Sequence, residues 1–265
     1  MTDKLQAGEA LVQQLIRERG DIFGEFELIA FARPRTLELM HRCAGYVHHY
    51  EGQTLDDQVL SPPFRELIAT VQLVARRDHG FAPNHVRRLY RMGVTDSVII
   101  EAAEAIAPVE GWSTIGGVCR AIRTANDPDY ATGELPPGGP PTQVVPFAEM
   151  DLASTVPRDA EAAGLLRAWD ELTPIDSELA ERFRSFVLHC WYDDGDGRVL
   201  PSTARLLIAI SALCARGLSD VARDHMAIAL AAGATRRQII EAVSCVLPMT
   251  GSATMVVTLD ALRGM

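Results

Sequence analysis

Residues 93–102, GVTDSVIIEA, and residues 233–242, GATRRQIIEA, are two versions of one ten-residue motif. Each has a glycine, a threonine two positions later, and the ending Ile-Ile-Glu-Ala. The two stretches lie 140 positions apart. The same offset aligns residues 60–123 with 200–263 without a gap, and about a third of the aligned pairs are identical. Self-similarity at a fixed offset indicates two copies of one supersecondary unit.

Hydrophobic residues in each copy recur at the spacing of a helix rather than of a strand. The first helix of each copy shows this best, through Leu60, Phe64, Leu67, Ile68, Val71 and Val74 in copy one and Leu200, Ala204, Leu207, Ile208 and Cys214 in copy two. A second helix, a third that starts in the ten-residue stretch, and a fourth over about 113–123 and 253–263 follow. The sequence therefore predicts an all-α fold.

Residues at the predicted helix ends fit this reading. Gly93 and Gly233 stand just beyond the second helix of each copy, where a positive φ favours glycine. Thr235 with Gln238 predicts a capping box, and Thr95 is the matching cap without the glutamine. Before the first helix of copy two, a cap is expected from Ser202 or Thr203.

A segment rich in proline and glycine separates the copies. Residues 133–150 predict a linker because such a composition does not hold a helix. We therefore expect an N-terminal helical domain over 1–132 with its core unit at 36–123, and a C-terminal domain over 151–265 with its core unit at 176–263. Two further helices are predicted over about 5–19 and 22–32, and residues 159–171 echo them in part.

Composition and charge exclude several classes of protein. The net charge of −10 argues against nucleic-acid binding, which normally requires a basic face. No apolar run approaches the roughly 18–20 residues of a membrane span, and the first residues lack the apolar core of a signal peptide. Five widely spaced cysteines without a CxxC pair fit a reduced compartment, so we expect a cytoplasmic protein.

The ordered motifs of each copy resemble the carboxymuconolactone decarboxylase family, which includes the alkylhydroperoxidase D proteins. In copy one these motifs are Arg65-Glu66-Leu67-Ile68, His85, Gly93-x-Thr95 and Ile100-Glu101-Ala102. The resemblance implies two tandem helical bundles of the alkylhydroperoxidase D type. Since single-copy relatives assemble as trimers or hexamers, it also implies a homo-oligomer, with a trimer of tandem chains favoured.

The chain departs from the peroxidase branch of the family. That branch carries a CxxC whose second cysteine stands four positions before the histidine. Those positions hold Asp78 and Phe81 in copy one, and Leu218 and Val221 in copy two. A thiol peroxidase needs an attacking thiolate and a resolving thiol, so peroxidase activity would have to use a distant cysteine such as Cys119.

The resemblance implies that Glu66 and His85 form the catalytic pair. They are predicted to lie on successive antiparallel helices, where a carboxylate near an imidazole sets its tautomer or carries a proton. The alternative is an ion pair that only ties the helices together. Copy two keeps His225 but has Leu206 in place of the glutamate, so copy one is the better candidate for chemistry.

Other residues are candidates for binding the substrate. His49 and Tyr50, with His189 and Trp191 at the equivalent place in copy two, border the pocket in the family; the alternative is an amphipathic interface. His79 lies where the peroxidase branch has its cysteines, although an exposed loop histidine explains it as well. His225 is a further candidate, with hydrogen bonding to Asp224 or a helix end as the alternative.

The function that the resemblance implies is acid–base decarboxylation or isomerisation of a small organic acid or lactone. We expect no cofactor and no metal, because the spacing of Asp78, His79 and His85 matches no standard ligand set. The expected partner is a small-molecule substrate, without nucleic acid or membrane. The alternative is a binding or assembly protein that has the same fold and has lost its chemistry.

Overall fold

The computed structural model describes residues 2–19, 22–48, 58–78, 80–130, 135–142, 164–193, 195 and 197–265. Within these ranges every regular element is an α-helix, which confirms the all-α class. The helices are α1 Thr2–Arg19, α2 Gly24–Ala32, α3 Pro34–His48, α4 Pro62–Ala75, α5 Ala82–Arg91, α6 Asp96–Glu110, α7 Ser113–Ala125, α8 Leu165–Leu172, α9 Ser177–Trp191, α10 Ser202–Ala215, α11 Ser219–Ala231, α12 Arg236–Ser244, α13 Leu247–Thr250 and α14 Ala253–Leu262.

The internal repeat is visible as equivalent helices. α4, α5, α6 and α7 correspond at the 140-residue offset to α10, α11, α12 with α13, and α14. The third helix is continuous through Pro108 in copy one, whereas in copy two it stops at Ser244 and restarts as α13. Pro248 then falls in the first turn of α13, where its missing N–H leaves no hydrogen bond unmade.

The predicted helix ends hold with two corrections. Thr95 is the N-cap residue of α6, but its side chain makes no capping hydrogen bond and bonds the hydroxyl of Ser97 instead. Gly93 and Gly233 follow their helices with φ of 80° and 96°, and Thr235 and Gln238 form the predicted capping box. The prediction of a cap from Ser202 or Thr203 is wrong. Both lie inside α10, whose N-cap residue is Pro201, without a side-chain cap.

Each copy also holds the segment that leads into the first core helix of the other. Glu241 of copy two accepts hydrogen bonds from the backbone N–H of Leu60 at 2.9 Å, just before α4, and from the side chain of Arg65 at 3.0 Å. Glu101 of copy one accepts an equivalent bond from Arg205 of α10 at 3.3 Å. Each glutamate thus ties the entry of a helix in one copy to the other copy.

The two copies share one hydrophobic core. Buried side chains of α4 and α6 join those of α10 and α12 in a single cluster that includes Leu67, Ile99, Leu207 and Ile239. A smaller cluster around Leu15 connects the N-terminal helices α1, α2 and α3. α3 also packs on α4 and α13, so that it forms one side of the cleft described below. In the described residues no helix is long and apolar enough to cross a membrane.

Candidate active site

A cleft of about 1420 Å³ opens between α3, the α4–α5 region and α13. Its lining combines side chains of the N-terminal helices and of copy one with residues 247–252 of copy two. Polar side chains gather in the part next to α5 and include His48, His85 and Arg88. The cleft therefore lies where the first core unit meets both the N-terminal helices and the second copy.

His85 and Glu66 meet at the wall of this cleft. His85 lies in the first half of α5, two residues after Pro83, and Glu66 lies in the first turns of α4. The Nδ1 atom of His85 is 2.6 Å from Oε1 of Glu66. The histidine side chain is 23% exposed and lines the cleft, whereas the glutamate side chain is fully buried behind it. Only the histidine can therefore touch a molecule in the cleft.

The surroundings of Glu66 keep it ionised. Burial alone would raise the pKa of its carboxyl group, but the positive charge of Arg88 and the contacts with His85 outweigh burial and lower the pKa to about 2. Arg88 Nη1 lies 3.5 Å from Glu66 Oε2. An ionised carboxylate only accepts hydrogen bonds, so Nδ1 of His85 is the donor and its Nε2 remains for proton exchange with a molecule in the cleft.

His48 is a second histidine beside this pair, and the sequence reasoning missed it. Its ring centroid lies 6.2 Å from that of His85, and the side chain is 5% exposed. Burial lowers the pKa of His48 to about 3, so the ring is neutral at ordinary pH. Its Nδ1 atom is buried without a hydrogen-bond partner in the part of the chain that the structure describes.

His41 also lines the cleft and forms a hydrogen bond with Glu18 of α1. His41 and His48 are seven positions apart, which places them on one face of α3. Likewise Arg88 follows His85 by three positions and shares its face of α5. Helical spacing could therefore have identified His48 and Arg88 from the sequence. Comparison of the two copies could not, because it identifies only residues that occur in both, such as His49 and His189.

The lining of the cleft carries more positive than negative charge. Four arginines contribute, against two acidic side chains, Glu18 and Asp78, although the whole chain has a net charge of −10; the arginines are Arg42, Arg76, Arg88 and Arg91. Arginine side chains recognise carboxylates well because of their fixed, planar donor geometry. Arg88 and Arg76 are paired with the carboxylates of Glu66 and Glu110, so part of this positive charge is already balanced.

The residues expected near the pocket in copy two lie elsewhere. His189 is exposed and contacts Asp193 and Arg198. Trp191 is fully buried, and its indole N–H donates to the carbonyl of Ala105 at 2.7 Å. Neither side chain lines the cleft, because α9 packs on α6 rather than on α5. This placement gives no support to their expected role in substrate binding.

His225 is sealed in the protein interior. It has no exposed surface, and its ring packs edge-on against Trp191 at 4.7 Å. The backbone N–H of Leu165, at the start of α8, donates to its Nε2 at 3.4 Å. Burial lowers the pKa of His225 to about 4. This placement gives no support to its expected role in substrate binding.

Three candidates, His49, Tyr50 and His79, lie outside the described residues. In the described part of the chain, no group of three or more His, Cys, Asp or Glu side chains is placed to hold a metal ion. Burial raises the pKa of Cys190 and Cys245 to about 12 and that of Cys214 to about 11, which disfavours their thiolates. Cys43 is exposed at the cleft, and Cys119 is half-buried.

Comparison with known proteins places the chain in a family. No curated protein matches it. The model of the carboxymuconolactone decarboxylase family matches residues 44–123 and 177–264. The two matched segments contain the two copies of the repeat, and together they cover more than half of the chain. The chain therefore belongs to the carboxymuconolactone decarboxylase family, as a member that carries the family unit twice.

Proposed function

We propose that the protein is an enzyme that decarboxylates or isomerises an organic acid or lactone by acid–base chemistry at His85. The observation that carries the proposal is the 2.6 Å contact between His85 and a fully buried, ionised Glu66, with the histidine facing the cleft. A histidine oriented by a buried carboxylate is suited to accept and donate protons.

The same pair serves either reaction. In a decarboxylation, the bond between the carboxylate carbon and its neighbour breaks, CO2 leaves, and the electron pair remains as an enolate or dienolate. Protonated His85 then donates a proton from Nε2 to the carbon. In an isomerisation, neutral His85 removes a proton from one carbon and returns it to another. Glu66 acts through His85 in both cases, by stabilising the imidazolium form, and is therefore a positioning residue.

The arginines that line the cleft support an acidic substrate. Arg88 lies beside the catalytic pair, and Arg42 and Arg91 line the same cleft. They provide donors for a carboxylate or for an oxygen that becomes negative during the reaction. Copy two lacks the equivalent of Glu66 and its histidine is sealed, which supports a scaffold role for that copy.

Proton NMR of the protein with γ-carboxymuconolactone in D2O tests the proposal. We expect loss of substrate or incorporation of deuterium with the native chain, and a loss of about 10²-fold or more in rate for His85→Gln. His189→Gln is the matched control, because it changes an exposed histidine outside the cleft. Turnover that His85→Gln leaves unchanged would refute the assignment, and the absence of any reaction would favour a binding or assembly protein.

A further inference from the structure

Three phenylalanines form one wall of the cleft. Phe23 and Phe26 come from the start of α2, and Phe81 precedes α5. The ring of Phe81 lies 4.3 Å from that of Phe23, edge to face, and 5.6 Å from that of Phe26, stacked. All three are half-buried and line the cleft. Half-exposed aromatic clusters of this kind mark binding surfaces.

This aromatic wall adjoins the catalytic pair. The backbone N–H of His85 donates to the carbonyl of Phe81 at 3.3 Å, so Phe81 lies one helical turn before the histidine. A ligand that reaches Nε2 of His85 therefore has an apolar surface immediately beside it. Since the wall uses helices that precede the family-matched residues 44–123, the N-terminal segment contributes directly to the site.

The size of the cleft exceeds what a small lactone fills. Sites for drug-sized ligands typically measure about 300–1,000 Å³, and this cleft measures about 1420 Å³. Further apolar side chains, including Leu37, Met40 and Met249, continue the lining beyond the phenylalanines. Burial of apolar surface against such a lining is worth about 25 cal/mol per Å², so a ligand with a large apolar body gains most here.

The part of the cleft around His85, Arg88 and His48 is polar. Arg88 lies against Glu66 and donates to the backbone carbonyl of His48 at 3.3 Å, which fixes the guanidinium at the cleft wall. The buried Nδ1 of His48 has no partner among the described residues. Buried polar atoms normally have partners, and a polar group of a bound ligand can supply one at this place. The cleft thus joins a polar part that contains an arginine to an aromatic part.

We infer that the substrate is a carboxylic acid with a ring-bearing apolar body, held by its carboxylate near Arg88, His48 and His85 and by its rings against Phe23, Phe26 and Phe81. This inference rests on the proposed function, because it names the substrate class of the same site. A protein surface covering the aromatic wall would close the approach to His85, which argues for a small molecule as the occupant.

Isothermal titration of the full chain tests the inference with three probes. Naphthalene-2-carboxylate has rings and charge, naphthalene-2-carboxamide has the rings alone, and trans,trans-muconate has charge without rings. We expect naphthalene-2-carboxylate to bind at least ten-fold more tightly than either of the others. Phe81→Leu should weaken it by about ten-fold, because a ring contact is lost. Phe183→Leu, in the separate aromatic cluster with Trp112 and Trp169, should leave binding unchanged.

Three outcomes overturn the inference. These are equal affinity for muconate and naphthalene-2-carboxylate, unchanged binding in Phe81→Leu, and a change in the sedimentation mass of Phe26→Leu without a change in binding. The last result would assign the wall to contact between copies. Catalysis of the lactone without binding of naphthalene-2-carboxylate would remove the substrate class and keep the proposed function. Ring-dependent binding without any proton exchange would keep the ligand class and remove the proposed function.

Discussion

His85 and Glu66 are joined by a 2.6 Å contact between α5 and α4, yet only the histidine reaches the cleft. This relationship separates two roles that the sequence left open for the glutamate, namely delivering a proton and setting the state of the histidine. A fully buried carboxylate behind the ring is placed for the second role.

Glu66→Gln is expected to lower the rate of proton exchange or decarboxylation by about 10²–10⁴-fold. The amide has nearly the same shape but no charge to stabilise the imidazolium. The loss should lie in kcat rather than in KM, a split that a purely structural role would not produce. NMR-detected rates at several substrate concentrations measure both. Glu104→Gln, a carboxylate paired with Arg198 outside the cleft, is the control, and an unchanged kcat in Glu66→Gln would contradict the role.

Acid should destabilise the protein partly through His225. Its pKa is lowered from 6.5 to about 4 in the folded chain, so between these values the unfolded chain binds a proton that the folded chain does not. Stability is therefore complete above about pH 6.5 and falls as the pH drops towards 4, by about 1.4 kcal/mol per pH unit for this group.

Urea denaturation at several pH values between 6.5 and 4.5 measures this contribution. We expect His225→Gln to reduce the slope of unfolding free energy against pH by about 1.4 kcal/mol per unit. The exposed His189→Gln serves as the control. The same slope in native protein and His225→Gln would show that the ring is protonated in the fold, contrary to its sealed environment.

The reciprocal pairs Arg65–Glu241 and Arg205–Glu101 predict matched effects on stability. Both arginines are fully buried, and removal of one charge from a buried pair typically costs about 3–5 kcal/mol. Because a glutamine still accepts hydrogen bonds, we expect Glu241→Gln and Glu101→Gln each to cost roughly 2–4 kcal/mol. Denaturant unfolding measures the loss of stability. A loss below about 0.5 kcal/mol in either variant would contradict the prediction, because it would mean that water hydrates the unpaired arginine.

Much of this architecture was accessible from the repeat. The 140-residue offset predicted the equivalent helices, and glycine and threonine spacing located Gly93, Gly233 and the capping box at Thr235. These features follow from local periodicity and from residues at helix ends. The family resemblance paired Glu66 with His85, and the structure places the two side chains in contact.

The remaining features depend on packing between distant parts of the chain. The contacts of Glu101 and Glu241 are of this kind, since nothing in the local sequence shows that each reaches the other copy. The repeat does not identify His48, because the equivalent position in copy two is Leu188. The sealing of His225 depends on the start of α8, whose contact lies 60 positions away along the chain.

Gly164 offers the sharpest test of the difference between the two copies. Its φ is +60°, and a Cβ atom there would lie 2.4 Å from Nε2 of His225, so Gly164→Ala has to displace either the start of α8 or the ring. Gly217 also has a positive φ, of +75°, with nothing within 4 Å of an added Cβ. Gly217→Ala therefore measures the cost of the left-handed backbone alone, about 1–2 kcal/mol.

We expect Gly164→Ala to cost about 1–3 kcal/mol more than Gly217→Ala in denaturant unfolding, which is the usual range for overpacking. The rate at His85 should stay the same in both variants, because the sealed histidine of copy two takes no part in the chemistry. Equal stability losses would mean that α8 does not hold its place over His225. A loss of activity in Gly164→Ala, with the fold retained, would show instead that the second copy contributes to catalysis.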